Sequence, residues 1–265
     1  MYVAQTHSTN SLIQEQYLDQ PDLFTVRTDY QTAGRGQKGN RWEAQRGQNL
    51  LFSTLIKQPA IPVDEQFLLS MAVSLAVRDM VKEELDKQHI PSDPLTVKWP
   101  NDIYWGDKKL CGMLLEASLQ GSSIAYVIAG VGLNVNQTQW DGVAPNPISM
   151  KEITGTNYDL NRLMDSMLEC LKRRLQQLFS ACRIGDIEPF RQEYSGCLYR
   201  REGWHLFAHR EVDLTPTMPL PMAEAQEKDV FEAKIVEVDK QGQLVLLQRD
   251  GKCHTYHFKQ IRYVI

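Results

Sequence analysis

Residues 31–49 read QTAGRGQKGNRWEAQRGQN. Four glycines (Gly34, Gly36, Gly39, Gly47) alternate with four cations (Arg35, Lys38, Arg41, Arg46), and Glu43 is the one acid. The stretch therefore carries +3 inside a chain of net charge −4. Glycine lets a backbone approach a ligand closely or take positive φ. Interleaved cations favour an anionic ligand. A loop that was merely solvated would give Trp42 nothing to pack against. The pattern predicts a loop that wraps a small anionic molecule. It is not a P-loop, because GxxxxGK[ST] is absent. The letters GxGxxG occur at Gly34, Gly36 and Gly39, but the cations among them and the long loop that follows do not suit a tight strand-to-helix turn.

Working outward, the loop lies between apolar runs. Tyr2–Gln5 and Phe24–Thr28 read as strands before it, and Leu50–Lys57 as the strand after it. A helix follows Ser8 or Thr9 as cap and runs to Leu18, with Leu12, Ile13 and Tyr17 on one face. Asp64 is expected to cap a wide, substantially buried helix to about Lys87. Leu95–Trp99 reads as a strand stopped by Pro100. Asp102–Trp105, the turn Gly106-Asp107 and Leu110–Ala117 read as a hairpin. Ile124–Ala129 is a further strand. The leucines and methionines of residues 159–181 keep i, i+3, i+4, i+7 spacing, which predicts an amphipathic helix whose stripe is core. After Ser195 the composition changes to short β-rich runs with turns at Gly242 and Gly251, which predicts a small β-domain. Three prolines between Thr215 and Pro221 mark a loop or linker.

Composition narrows the classes. A chain of 265 residues with 42% apolar content has a real core, in one large domain or one plus a small one. An acidic net charge argues against nucleic acid as the partner of the whole chain. Five widely spaced cysteines without CxxC suit free thiols in a reducing compartment. Neither a signal-like N-terminus nor an 18-residue apolar run occurs, so a soluble cytoplasmic protein is expected.

Four more motifs accompany the cationic loop. Ser8-Thr9-Asn10 precedes it. Val97-Lys98-Trp99-Pro100-Asn101-Asp102 places Asn101 and Asp102 at a strand end, beyond a proline that stops the ladder. Lys108-Lys109-Leu110-Cys111-Gly112 puts a cation before a strand and a glycine inside it, a mark of close ligand approach. Gly130-Val131-Gly132-Leu133-Asn134 follows an apolar strand.

STN, QTAGRG…W, KWPND, KLCG and GVGLNVN together resemble the biotin protein ligases in order and spacing, over roughly residues 5–140. The chain looks like the short form of that family, which lacks the DNA-binding domain of the bifunctional repressor-ligases. The resemblance implies an α+β fold: a mixed β-sheet with helices mainly on one face, as in class II synthetases, over residues 1–194, plus a small C-terminal SH3-like β-barrel over residues 195–265. It implies an enzyme that joins biotin and ATP into biotinyl-5′-AMP, then transfers biotin to a lysine of a biotin carboxyl carrier protein. By the same resemblance Ser8, Thr9, Asn10 and Gln31 bind the ureido end of biotin. Gly34, Arg35, Gly36 and Gln37 line its tail and the acyl phosphate. Lys109 is the main catalytic cation, assisted by Arg35, and Gly112 lets the sheet floor approach the ligand. Trp42, Asn101, Asp102 and Asn134 serve the nucleotide, with Mg²⁺ near Asp102. No covalent enzyme intermediate is implied, so Cys111 reads as a packing residue. The family commonly shows GRGRxGRxW, and here Gln37 and Asn40 stand where arginines are frequent. Residues 138–157, rich in glycine, proline and asparagine, are a candidate cover over the adenylate. The partner is the carrier protein, with no nucleic acid and no membrane, and the protein is a monomer or homodimer. Two other readings compete: a lipoate or octanoate transferase of the same fold, and a non-catalytic biotin or nucleotide sensor.

Overall fold

The computed structural model describes residues 1–37, 40–141, 146–209 and 230–265. Lys38 and Gly39 of the cationic loop, residues 142–145 of the candidate cover and the proline-rich 215–221 lie outside the described residues. In chain order the elements are β1 (Tyr2–Val3), α1 (Thr9–Gln16), β2 (Thr25–Thr28), β3 (Leu50–Lys57), α2 (Phe67–Asp86), β4 (Leu95–Lys98), β5 (Asp102–Trp105), β6 (Lys108–Gln120), β7 (Ser123–Leu133), α3 (Met150–Thr154), α4 (Leu160–Ile184) and α5 (Glu188–Gly196). Then come β8 (His205–His209), β9 (Val230–Val238), β10 (Leu244–Gln248), β11 (Cys253–Tyr256) and β12 (Ile261–Tyr263).

Seven strands form a mixed sheet in the order β1-β2-β3-β7-β6-β5-β4, parallel at β1–β2 and antiparallel elsewhere. Side chains alternate between its faces. Leu50, Phe52 and Ile56 of β3 join the main core beneath α2. Leu55 turns the other way and packs with Ile13 of α1, Val26 and Ile128. Helix α1 thus covers part of the second face, and the rest of that face is left for the site.

Three expected boundaries differ. Asp64 does not cap α2: residues Val63–Glu65 make a 3₁₀ turn after Pro62, and α2 starts at Phe67. The turn's carbonyls run straight into the helix, and Glu65 instead pairs with Arg191 at 2.8 Å. Strand β7 runs on to Leu133, so Gly130 and Gly132 lie inside it rather than after it. Likewise β6 begins at Lys108 and takes in Lys109. Long pairing between β6 and β7 offsets the weak strand propensity of glycine. Helix α4 begins at its cap Asp159 and ends at Gly185, whose φ of 75° is the left-handed stop. Arg174 of α4 holds α2 through Asp79 (2.6 and 2.9 Å) and α5 through Glu193 (2.6 and 2.8 Å).

The C-terminal strands form a five-stranded antiparallel sheet in the order β11-β10-β9-β8-β12. Among the described residues β11 and β12 do not pair, so the expected barrel is not closed by a ladder. They are nonetheless edge strands joined by residues 257–260 alone. The C-terminal sheet packs on the larger sheet through one continuous core: Trp99 Nε1 donates to the Gly242 carbonyl at 2.9 Å, and Tyr199 and Tyr263 meet at 5.6 Å between ring centres.

Gly242 has φ +80°, and a Cβ there would lie 2.7 Å from Phe67 Cβ. Gly242→Ala should cost about 1–3 kcal/mol from backbone strain and overpacking. A urea midpoint unchanged from wild type would show that the C-terminal sheet does not meet the start of α2 at this point.

Candidate functional site

The uncovered part of the sheet is paved by register. Across it, Ser53 faces Gly130 and Gly130 faces Leu114. The next row on the same face runs Leu51, Gly132, Gly112, Asp102, Lys98. Three glycines thus leave a strip of bare backbone flanked by polar groups, and above it lies a cavity of about 440 Å³. A Cβ on Gly130 would meet Asn10 Cγ at 3.0 Å. One on Gly112 would meet Trp42 Cζ3 at 2.8 Å, and one on Gly132 would meet Trp42 Nε1 at 2.5 Å. The indole of the cationic loop rests on this floor, with the Lys109 ammonium 5.6 Å from its ring centre.

A hydroxyl–amide network borders one end. Ser8 is the N-cap residue of α1, yet its side chain makes no capping bond and it lines the cavity. The Gln31 Oε1 accepts from the Thr9 amide at 2.8 Å and from Thr9 Oγ1 at 3.2 Å. Thr9 Oγ1 and Ser53 Oγ are 2.6 Å apart, and Ser53 donates to Asn10 Oδ1 at 2.5 Å. Asn10 Nδ2 donates to Glu116 at 2.7 Å, and the same carboxylate oxygen takes Arg35 at 2.7 Å. Thr9 and Asn10 are buried, so their fixed polarity is directed by the network and not by water.

Charge borders the other end. Lys109 Nζ pairs with Asp102 Oδ1 at 2.7 Å. The Lys109 backbone is clamped by residues 146–148: its amide donates to the Asn146 carbonyl at 2.7 Å, and its carbonyl accepts from Ile148 at 3.0 Å. Asn134 Nδ2 reinforces this clamp through the carbonyls of Lys109 (3.3 Å) and Ile148 (3.0 Å). Asn101 holds β6 in place, its carbonyl accepting from the Met113 amide at 2.9 Å and its Nδ2 donating to the Met113 carbonyl. Cys111 points to the opposite, core face, and burial pushes its thiol above the usual range, as suits packing.

Of the residues expected from sequence, Ser8, Thr9, Asn10, Gln31, Arg35, Gly36, Gln37, Trp42, Asn101, Asp102, Lys109, Gly112 and Asn134 all line this cavity. Gly34 does not; its carbonyl accepts from the Trp42 amide at 3.0 Å and so shapes the loop. Sequence reading missed Ser53 and Glu116, although a hydroxyl inside the apolar run LLFSTLIK was a signal. It also missed Lys98, and with it Phe258, Ile261, Arg262 and Tyr263 of the C-terminal sheet, which form part of the wall. Nothing local to those residues announces a site. Burial lowers the Lys98 ammonium to about 7, against the opposing pull of Asp102. Burial likewise raises the phenols of Tyr104 and Tyr263.

The model of the biotin/lipoate A/B protein ligase family matches residues 2–134. The chain belongs to that family. Among curated relatives, the biotin–[acetyl-CoA-carboxylase] ligase of Mycobacterium tuberculosis is 32% identical over 177 residues, 66% of this chain and 63% of that protein. The bifunctional ligase/repressor BirA of Escherichia coli is 29% identical over 229 residues, 84% of this chain and 61% of that protein. The chain thus spans less than two thirds of the length of either relative. In fold it is similar to the biotin protein ligase of Aquifex aeolicus in complex with biotin and ATP, with TM-score 0.70 at 22% identity over 99% of this chain and 98% of that one. The Leishmania major biotin protein ligase in complex with biotinyl-5-AMP gives TM-score 0.61 at 19% identity over 97% of both chains. Among the described residues no helix is long and apolar enough to cross a membrane.

Gly132→Ala should drive the indole of Trp42 off the floor while the sheet persists. Acrylamide quenching of tryptophan fluorescence should rise, and the rise should vanish in a Trp42→Phe background. Equal quenching in Gly132→Ala and wild type would mean that the indole does not lie over residue 132.

Proposed function

We propose that the chain is an ATP-dependent biotin protein ligase that forms biotinyl-5′-AMP and passes biotin to a lysine of a biotin carboxyl carrier protein. The observation that carries this reading is the strip of bare backbone with a hydroxyl–amide network at one end and the Lys109–Asp102 pair at the other. From β3 to β5 the strip crosses three interstrand spacings, about 14 Å. It suits a ligand with a polar bicycle, an apolar tail and a terminal carboxylate. The ureido ring offers two donors and one acceptor to the network of Gln31, Thr9, Ser53 and Asn10. The tail takes the place over the glycines that the Trp42 indole occupies in the structure, so the indole lifts as the ligand enters, and the carboxylate comes to Lys109.

The chemistry follows from that placement. A carboxylate is a poor electrophile, and joining it to AMP supplies a leaving group. Its oxygen attacks the α-phosphorus, and both anions converge on the Lys109 ammonium, which reduces their repulsion. Lys109 is pre-aimed by its clamp and by Asp102. Arg35 is held beside the network by Glu116 and can exchange that carboxylate for the ligand's acyl phosphate. An acceptor lysine then attacks the acyl carbon and AMP leaves. Among the described residues no cluster of three potential metal ligands occurs. One carboxylate beside bound phosphates is the ordinary way a protein holds Mg²⁺, so Asp102 fits as its ligand, and the ion would neutralise phosphate charge. Trp42 is the residue that adenine would meet above the floor. Residues 1–194 and 195–265 act as catalytic and C-terminal units, in the cytoplasm, as a monomer or homodimer.

Mixing the protein with ATP and biotin should release pyrophosphate, and replacing biotin by lipoate should not. Release with lipoate alone would favour the transferase reading, and none with either would favour a sensor. Lys109→Ala should cut adenylate formation about a hundredfold, the loss of one aimed cation worth about 3 kcal/mol. Lys109→Arg should recover little of it, because a planar fork does not replace a point charge. Wild-type turnover in Lys109→Ala would exclude the role given to it. Trp42→Ala should weaken ATP binding by about 1–3 kcal/mol and biotin binding much less. Calorimetric titration with each ligand separately checks this, and equal losses would make the indole a general wall of the cavity.

A further inference from the structure

The adenylation reading employs Lys109 and leaves another cation of the cavity, a buried one, without a task. Lys98 ends β4, and its register partner is Asp102. It is 6% exposed, yet it lines the cavity. Its Nζ donates to Tyr104 Oη at 2.9 Å and stands 4.5 and 5.2 Å from the ring centres of Tyr104 and Tyr263. An ammonium has three donors, and among the described residues this one has a single hydrogen-bond acceptor and no carboxylate in contact. Asp102 is engaged by Lys109 instead. Among the described residues the Tyr263 Oη of the same wall is likewise buried without a hydrogen-bond partner.

A desolvated cation with no counter-ion among the described residues, beside the unpartnered Tyr263 hydroxyl, marks a place built for an anion. The ordinary alternative is a structural ammonium satisfied by aromatic faces. Those faces attract it, but they take no hydrogen bond from its two remaining donors, and they leave Tyr263 Oη unexplained.

We propose that Lys98 binds the β-phosphoryl group of the nucleotide and receives the pyrophosphate as it leaves. The proposal rests on the adenylation reading. In that step the biotin carboxylate oxygen forms a bond to the α-phosphorus. The bond from the α-phosphorus to the α,β-bridging oxygen breaks, and its electron pair stays on the pyrophosphate. Negative charge therefore grows on the leaving side, opposite the attacking carboxylate. Lys98 neighbours Asp102 in the register of the sheet, and the Lys109 side chain reaches the same carboxylate from β6. One cation serves the attacking carboxylate and α-phosphate and the other serves the leaving group, with no proton transfer required.

The test uses the full chain and inorganic pyrophosphate as probe. Lys98→Met removes the charge and keeps an unbranched side chain. Pyrophosphate affinity by calorimetry and the KM for ATP should each worsen at least tenfold. Biotin affinity, and transfer from supplied biotinyl-5′-AMP to a carrier domain, should stay within twofold. Lys98→Arg should keep most of the pyrophosphate affinity. If Lys98→Met does not fold, Lys98→Gln, which retains a donor for Tyr104, gives the same comparison. Wild-type pyrophosphate affinity in the variant would overturn the proposal, as would equal losses in ATP binding, biotin binding and transfer. Wild-type protein that binds pyrophosphate but releases none from ATP and biotin would remove the ligase reading, while the pyrophosphate titrations would still judge Lys98.

Discussion

The arrangement depends on close approach between a β-sheet and what lies above it. A sheet face ordinarily presents a carpet of side chains, which must be buried by another layer. Here α1 buries one part of that face through Ile13, and the neighbouring part needs no burial because Gly112, Gly130 and Gly132 leave no side chains to cover. Asn10 and Trp42 can then descend to the backbone. Replacing these glycines by larger residues would fill the cavity, and no rearrangement of the loop would restore it.

Much of this was legible in the chain. Apolar periodicity located the long helices and the β3 strand because each pattern persists over several turns or pleats. The glycine–cation loop and KWPND announced a site because they combine residue types that fit no packing role. What escaped depended on distance in sequence. Glu116 becomes meaningful when Asn10 and Arg35 are brought to it from over 80 residues away. Arg262 and Tyr263 reach the cavity because the second sheet is seated on the first. Helix starts and strand ends were misjudged where a neighbour, not the local residue, decides: Glu65 goes to Arg191, and β6 carries β7 through its glycines. The closure expected of the C-terminal barrel is likewise a property of two edges that no single strand encodes.

Charge in the cavity is arranged in advance. Lys109 is partnered by Asp102 and Arg35 by Glu116, so neither cation is left bare among the described residues. Each pair lowers the cost of holding charge at a partly enclosed site, and each can be exchanged for a ligand anion. An arrangement of this kind favours preorganisation: the donors already point inward, and binding changes their partners more than their positions.

One further feature concerns the rim of the large sheet. Residues 197–199 run parallel to β4, with Cys197 accepting from the Val97 amide and Tyr199 donating to the Val97 carbonyl, both at 2.8 Å. An open edge strand is a template for adding strands from other molecules, the first step toward aggregates. At β4 the chain fills that template with its own backbone. At the opposite rim β1 has two residues, too few to guide a stranger into register. Destabilising the 197–199 segment would therefore expose an adhesive edge directly beside Lys98, so damage there would be felt as insolubility before it was felt as lost chemistry.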